Sequence, residues 1–183
     1  MARLVTRLLM LARTDANAPF AREPLLIVDI IGEAYHQGCP PNRTIRMECQ
    51  GLEALEDAVV SGNADYLKQV LLILLENACK YTPDGGKVTI QGEMSEQHLT
   101  ITIADTGIGI EQADLPRLFE RFYRAQNARS QPGMGLGLSI ARSIIEQHSG
   151  TIGVESTPGR GSHFIITLPL LNAEKRAFTV PLA

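Results

Sequence analysis

The sequence predicts an α+β fold in which a largely antiparallel sheet carries helices on one face. Residues 87–93 with 99–105, and 151–156 with 162–168, form two pairs of segments in which apolar and polar residues alternate. A polar turn joins each pair, which is the pattern of a β-hairpin. Residues 65–81 instead repeat apolar residues at helical spacing. Hairpins mixed with amphipathic helices favour a sheet covered by helices on one side.

The first third of the chain contributes two helices and two short strands to this prediction. Residues 1–13 are predicted to form an amphipathic helix, because leucines and arginines recur at helical spacing. A second helical pattern opens at Pro24 and ends near Gly38, because the Pro40-Pro41 pair forbids its continuation. The two strands are predicted at residues 44–49 and 59–60.

The remaining elements follow the strongest helical pattern, at residues 65–81. Asn63 or Asp65 would cap this helix, and a turn containing Pro83 and two glycines ends it. After the first hairpin, residues 111–123 predict one or two short helices. Another helix is predicted at residues 135–148.

Length and composition indicate one soluble globular domain. The chain has 183 residues, 44% of them hydrophobic and 20% charged. Its net charge of −3 does not indicate general binding to nucleic acid. No apolar run approaches the roughly 18 residues of a membrane span. Cys39, Cys49 and Cys79 are odd in number and widely spaced, which predicts free thiols in a reducing compartment.

Polar residues interrupt the apolar helix at residues 65–81 near its end. Asn77, Lys80 and Tyr81 lie at i, i+3 and i+4, so they share one face, and Glu76 precedes them. An amide oxygen is a suitable ligand for Mg²⁺, and a lysine is a point charge suited to phosphate. The same residues would equally suit the solvated end of a core helix.

Asp105 stands at the predicted end of a strand, followed by Gly107 and Gly109. Its carboxylate could accept a hydrogen bond from an exocyclic amine such as that of adenine, and the two glycines permit a positive φ or a close approach to a ligand. A simple turn led by an aspartate is the alternative interpretation.

Three glycines, Gly133, Gly135 and Gly137, alternate along the chain where a helix begins. Free N–H groups at a helix N-terminus form an anion site. A P-loop is excluded because no lysine follows these glycines, and the dinucleotide fingerprint is excluded because Leu138 occupies the position of its third glycine. The segment therefore indicates a different nucleotide fold or a flexible loop.

Together these stretches resemble a known family. In chain order, NACKYTP, DTGIGI, LFERFYR, GMGLGLSIA and TPGRGSHF are similar to the sequence boxes of the catalytic domain of bacterial sensor histidine kinases. That domain belongs to the superfamily of gyrase, Hsp90, histidine kinase and MutL ATPases, and the phenylalanine-containing box favours the kinases. The resemblance covers roughly residues 24–170. It implies a two-layer α/β sandwich of the Bergerat type that binds Mg²⁺ and ATP or ADP.

The resemblance also implies roles for individual residues. Asn77 would hold Mg²⁺, Lys80 would contact the nucleotide phosphates, and Asp105 would bind the adenine amine. Glu76 would polarise or orient the acceptor histidine, or else be structural. The other implied nucleotide-binding positions are Tyr81, Gly107, Gly109, Gly133, Gly135, Leu136, Gly137 and Leu138.

A mobile ATP lid is implied at about residues 110–133. Phe119 and Phe122 would anchor it, which in physical terms is core packing. Arg124 and Arg129 would reach the γ-phosphate, or else be solvated loop charges, and Arg124 is a candidate catalytic residue together with Glu76 and Lys80. Two positions depart from the family pattern: Ile73 replaces a frequent second asparagine, and Pro132 replaces a small residue.

The chain has no histidine in a motif like H-E-[LI]-R-T-P, which carries the phosphoacceptor of a histidine kinase. We therefore expect residues 1–18 to be the remnant of a dimerisation-domain helix and linker, residues 19–171 the catalytic ATP-binding domain, and residues 172–183 a tail. The expected parent is a membrane-anchored sensor kinase. Its cytoplasmic catalytic domain would be monomeric as a fragment, without membrane or nucleic-acid contact, and would act with a dimerisation domain and a response regulator.

Two alternatives belong to other functional classes. One is a stand-alone ATPase of the superfamily or a serine kinase of the anti-sigma type. The other is a degenerate binding module that no longer holds nucleotide.

Overall fold

The computed structural model describes residues 20–39, 44–128 and 133–171. The helix predicted at residues 1–13, the tail at 172–183, Arg129 and Pro132 lie outside them. The strands and α-helices follow in the order β1 Glu23–Leu26, α1 Ile27–Gly38, β2 Arg46–Gln50, β3 Val59–Gly62, α2 Ala64–Tyr81, β4 Lys87–Met94, β5 His98–Asp105, α3 Gly137–Gln147, β6 Thr151–Thr157 and β7 Gly161–Pro169. Short 3₁₀ turns lie at Leu52–Leu55, Leu115–Arg117 and Gln126–Ala128.

Five strands form one mixed sheet in the order β2-β4-β5-β7-β6. β2 runs parallel to β4, and every other neighbouring pair is antiparallel. Both predicted hairpins, β4–β5 and β6–β7, are therefore confirmed, as is the α+β fold class. β1 and β3 form a separate two-stranded antiparallel ribbon.

The three helices pack on one face of the sheet and enclose the core. α1 contacts α2, α2 contacts α3, β4 and β5, and α3 contacts β6. Ile101 and Ile103 of β5 face the helices and are buried, whereas Thr100 and Thr102 alternate with them and are half-exposed. This period of two is what a sheet covered on one side requires.

The segment from Pro24 differs from its prediction as a single helix. Residues Glu23–Leu26 form a strand that pairs with β3, with Leu25 opposite Val60, and the helix begins only at Ile27. Proline lacks a backbone N–H and is tolerated on an edge strand, so the ribbon accepts Pro24. Of the one or two short helices predicted at residues 111–123, the structure has one, the 3₁₀ turn Leu115–Arg117.

Cys39 and Cys79 form a disulfide, so the prediction of free thiols is wrong for both. Their Cα atoms lie 5.9 Å apart, although 40 positions separate them in sequence. Gly38 explains the approach, because a Cβ at that position would lie 2.7 Å from the Leu75 side chain of α2. Cys49 is free and exposed, as predicted.

Within residues 20–39, 44–128 and 133–171, no helix combines the length and hydropathy that a membrane crossing requires.

Candidate functional site

A cavity of about 400 Å³ opens where the end of α2, the end of β5 and the start of α3 meet. Residues within 108–128 and 133–136, which lie between β5 and α3 in sequence, line its side. Of the residues singled out in the sequence, the cavity is lined by Ile73, Glu76, Asn77, Lys80, Tyr81, Asp105, Gly109, Arg124, Gly133, Gly135, Leu136, Gly137 and Leu138.

The α2 side of the cavity is set by the register of this helix. The Asn63 side chain caps α2 by accepting a hydrogen bond from the Tyr66 N–H over 3.2 Å. Four turns later, Asn77 and Lys80 face the cavity, while Ala78 and Cys79 between them are 1% exposed and belong to the core. The polar residues near the end of α2 therefore line the cavity and are half-buried.

Asp105 occupies the opposite wall and is 6% exposed. Its Oδ1 accepts the N–H of Gly107 over 2.8 Å, and the carboxylate also accepts the N–H of Ser162 on β7. Burial raises the pKa of Asp105, and these two hydrogen bonds and the charge of His163 oppose that rise. The result is a fixed carboxylate at the cavity wall, able to accept a further hydrogen bond.

Glycines permit close backbone approach around Asp105. A Cβ on Gly161, where φ is +99°, would lie 1.8 Å from the Asp105 carbonyl oxygen. A Cβ on Gly109, where φ is +66°, would lie 2.1 Å from the Thr157 carbonyl oxygen. Gly107 does not line the cavity; its contribution is the N–H that holds Asp105.

The N-terminus of α3 forms the third wall. Its N-cap, Leu136, offers no side-chain hydrogen bond to the helix, so the first N–H groups face the cavity without a side-chain cap. A Cβ on Gly133 would lie 3.2 Å from Lys80 Nζ, so this ammonium lies beside the glycine segment. A positive helix end and an ammonium thus occupy the same side of the cavity.

The segment between Ile110 and the glycines carries Arg124 to the cavity. The Arg124 guanidinium donates to the Ala128 carbonyl oxygen over 2.7 Å. Phe119 packs half-buried against the core, as expected of an anchor. Phe122 is 68% exposed with φ at +61°, so the expectation that it anchors this segment by core packing is wrong.

The donor set near the end of α2 fits a magnesium ion that also binds phosphates and water. Asn77 brings an amide oxygen to the cavity beside Glu76, and Mg²⁺ usually keeps several waters and phosphate oxygens. In the described ranges, no group of three or more His, Cys, Asp or Glu side chains could form a metal cage of its own. Ile73 is 1% exposed, and a Cβ on Gly137 would lie 3.2 Å from it, so it packs the start of α3.

Several lining residues were not foreseen from the sequence. Ser162 faces the cavity because β7 pairs with β5, which sets Ser162 opposite Asp105. That pairing was predictable only with the strand order in hand. The further lining residues are Ile108, Ile110, Leu118, Tyr123, Ala125, Ala128, Met134 and Phe164.

Comparison with known proteins agrees with the family resemblance of the sequence. Residues 62–172 match the family model described as histidine kinase-, DNA gyrase B-, and HSP90-like ATPase. The sensor histidine kinase WalK of Bacillus subtilis is 35% identical over 176 residues, which cover 92% of this chain and 28% of WalK. The phosphate regulon sensor protein PhoR of Pseudomonas aeruginosa is 35% identical over 172 residues, covering 90% and 38%.

A solved structure of the mycobacterial sensor histidine kinase MprB is similar with a TM-score of 0.73 and 29% identity. The match covers 81% of this chain and 98% of that structure. The chain spans about a third of the length of the curated relatives it matches.

Proposed function

The chain belongs to the histidine kinase-, DNA gyrase B-, and HSP90-like ATPase family, and on that premise we propose that it binds Mg²⁺-ATP and donates the γ-phosphate to a histidine of a dimerisation domain. One observation carries the proposal. A single cavity has a hydrogen-bond-accepting carboxylate at Asp105 on one wall, and Lys80 with the uncapped N-terminus of α3 on another. These are the partners that a base amine and a polyphosphate require.

The base would bind against Asp105. Its carboxylate is already fixed by two backbone N–H groups, so accepting the adenine amine requires no rearrangement. Ile108, Gly109 and Phe164 line this end and supply apolar surface for a ring. A fixed acceptor on an apolar wall favours a base with an exocyclic amine over one with a carbonyl at the same place.

The phosphates would lie between Lys80 and the start of α3. Gly133, Gly135 and Gly137 would let the backbone approach them, and the helix dipole would favour their negative charge. Asn77 would hold Mg²⁺, which would neutralise phosphate charge when bound. Arg124 would be drawn from Ala128 toward the γ-phosphate.

Transfer would form a bond between an imidazole nitrogen and the γ-phosphorus while the bond to the bridging oxygen of ADP breaks. Glu76 would orient the incoming imidazole by accepting the hydrogen bond of its other ring nitrogen. Lys80 and Arg124 would stabilise charge on the transferring group.

We assign the catalytic domain to residues 19–171. The proposed partners are that dimerisation domain and a response regulator, as the similarity to sensor kinases suggests. Because ATP is a cytoplasmic nucleotide, we place the domain on the cytoplasmic side of a membrane-anchored parent, monomeric when isolated.

A titration with a fluorescent ATP analogue tests the binding site. We expect Asp105→Asn to weaken binding at least about 10-fold, because it replaces a charged acceptor. Asn77→Ala should remove most of the dependence of binding on Mg²⁺. Glu96→Gln, in the exposed β4–β5 turn, is the matched control and should bind as the unchanged protein does. Unchanged binding in both site variants would refute the assignment.

Labelling from γ-labelled ATP tests the transfer. With the cognate dimerisation domain added, we expect label on its histidine, recognised because a phosphohistidine is acid-labile. Acid-stable label on serine, or steady release of phosphate to water without the partner, would support the alternative activities instead. The isolated chain should not label itself.

A further inference from the structure

We propose that Asp114 is a positioning residue that holds residues 123–128, which include Arg124, against the cavity. Its two carboxylate oxygens accept hydrogen bonds from Tyr123 and Gln126, which lie before and after Arg124 in sequence. The Tyr123 hydroxyl donates to Oδ1 over 2.5 Å, and the Gln126 N–H donates to Oδ2 over 3.1 Å. The role of Arg124 toward phosphate rests on the function proposed above, but the two hydrogen bonds do not.

The segment that Asp114 grips is a compact turn. The Ala128 N–H donates to the Ala125 carbonyl oxygen over 3.0 Å, and Arg124 donates to Ala128. Ala125 is 4% exposed and lines the cavity. A movement of this turn therefore moves Arg124 and one wall of the cavity together.

Residues 110–112, which precede Asp114, are hydrogen-bonded to the sheet. The Ile110 N–H donates to Ser156 Oγ over 2.9 Å, and the Gln112 side chain donates to the Ser156 carbonyl oxygen over 3.0 Å. Asp114 follows two residues later. Hydrogen bonds to β6 thus hold residues 110–112 in place, and hydrogen bonds to Asp114 hold residues 123–126 in turn.

The strength of its hydrogen bonds makes Asp114 the principal residue that holds residues 123–126. A carboxylate that accepts from a hydroxyl and a backbone N–H forms charge-assisted hydrogen bonds, which are about twice as strong as neutral ones. The Arg117 guanidinium also lies over the Tyr123 ring, 4.4 Å from its centroid, and keeps that ring in place. Asp114 is half-buried, so water competes only in part for its oxygens.

Amide hydrogen exchange without nucleotide tests the contact itself. We expect Asp114→Ala to speed exchange of residues 123–128 about 10-fold, and Tyr123→Phe to speed it less. The double variant should be no faster than Asp114→Ala. Glu111→Gln, an exposed lid carboxylate, is the charge-matched control and should not change exchange. Unchanged exchange in Asp114→Ala, or strictly additive effects, overturns the proposal.

Nucleotide affinity then tests positioning through Arg124. Arg124→Ala should reduce the preference for ATP over ADP, Asp114→Ala should reduce it similarly, and the double variant should reduce it no further. A structural defect would weaken ATP and ADP alike, and that result, or additivity, overturns the positioning role. If the unchanged protein binds no ATP, the proposed function fails, and the exchange data alone decide whether Asp114 holds the turn.

Discussion

The backbone N–H of Asn63 donates to Nε2 of His148 over 3.1 Å, which ties the start of α2 to the end of α3. The other ring nitrogen, Nδ1, lies 2.7 Å from the Ile144 carbonyl oxygen and donates to it. This pattern requires a neutral ring with its proton on Nδ1. His148 is 2% exposed, and burial, followed by the charge of Arg22, lowers its pKa.

The first prediction concerns the effect of pH on stability. His148 binds a proton more readily in the unfolded chain, so its contribution is complete above the unfolded pKa of about 6.5. It is lost as pH falls from there toward the lower pKa of the folded state, with a slope of at most about 1.4 kcal/mol per pH unit. Urea unfolding between pH 7.5 and 5.5 measures this.

Two histidine variants identify the source of that slope. His148→Asn should be less stable at pH 7.5 but show a flatter dependence on pH. His98→Gln removes an exposed histidine and should leave the slope intact. An equal slope in His148→Asn and the unchanged protein would contradict the assignment.

The second prediction concerns the disulfide between Cys39 and Cys79. It closes a long loop, and loss of such a crosslink costs about 3–4 kcal/mol in the chain-entropy model. Cys39→Ser should therefore lower the free energy of unfolding under non-reducing conditions, whereas Cys49→Ser should not. With a reductant present, the unchanged protein, Cys39→Ser and Cys49→Ser should have similar free energies of unfolding. The proposed function places the domain on the cytoplasmic side of a membrane, where disulfides are usually transient. On that proposal, alkylation after rapid lysis should trap some of this pair as thiols.

The third prediction compares two glycines of one turn. Gly159 and Gly161 both have positive φ, but an added Cβ meets nothing within 4 Å at Gly159 and the Asp105 carbonyl oxygen at Gly161. Gly159→Ala should cost only the backbone term of about 1 kcal/mol. Gly161→Ala should cost more and also weaken ATP binding, because the backbone of Asp105 must move. Equal losses in thermal melts and nucleotide titrations would show that the contact is unimportant.

The fourth prediction concerns Ser156, whose hydroxyl lies 2.9 Å from the Ile110 nitrogen, the Gly161 carbonyl oxygen and the Ser162 hydroxyl. Ser156→Ala should cost about 1–3 kcal/mol, because the Ile110 N–H loses its partner. Hydrogen exchange at residues 108–112 should rise. Ser95→Ala is the control, because the Ser95 hydroxyl also accepts a backbone N–H, that of His98, but in an exposed turn where water can replace it. It should cost less than Ser156→Ala and leave exchange at residues 108–112 unchanged. Normal protection of Ile110 in Ser156→Ala would refute the assignment.

The sequence was most informative where one local signal fixed the structure. The cap candidates Asn63 and Asp65 predicted the start of α2 to within two residues, and the structure has Asn63 as the cap. Helical spacing predicted that Asn77 and Lys80 share a face. Both features follow from contacts within one turn. The meeting of Asp105 with Lys80 around one cavity could be expected only from the family resemblance, because periodicity does not give the order of strands.

Features that depend on distant partners were missed. β1 forms because it pairs with β3, with Leu25 opposite Val60, and a local sequence pattern does not indicate such a distant partner. Cys39 reaches Cys79 only because two helices pack closely. Asp114 and Tyr123 meet within an irregular segment, where neither helical nor strand spacing predicts which side chains face each other.

The opposed ends of α2 and α3 have a kinetic consequence. The C-terminal turn of α2 and the N-terminus of α3 both lie at the cavity, so one helix dipole presents its negative end there and the other its positive end. The Lys80 ammonium lies beside Gly133, near the start of α3, and adds to the positive potential on that side. We therefore expect the phosphates of an anionic ligand to be drawn toward the start of α3 as the ligand approaches. Its association rate should therefore fall as ionic strength rises, while the rate for an uncharged nucleoside stays the same.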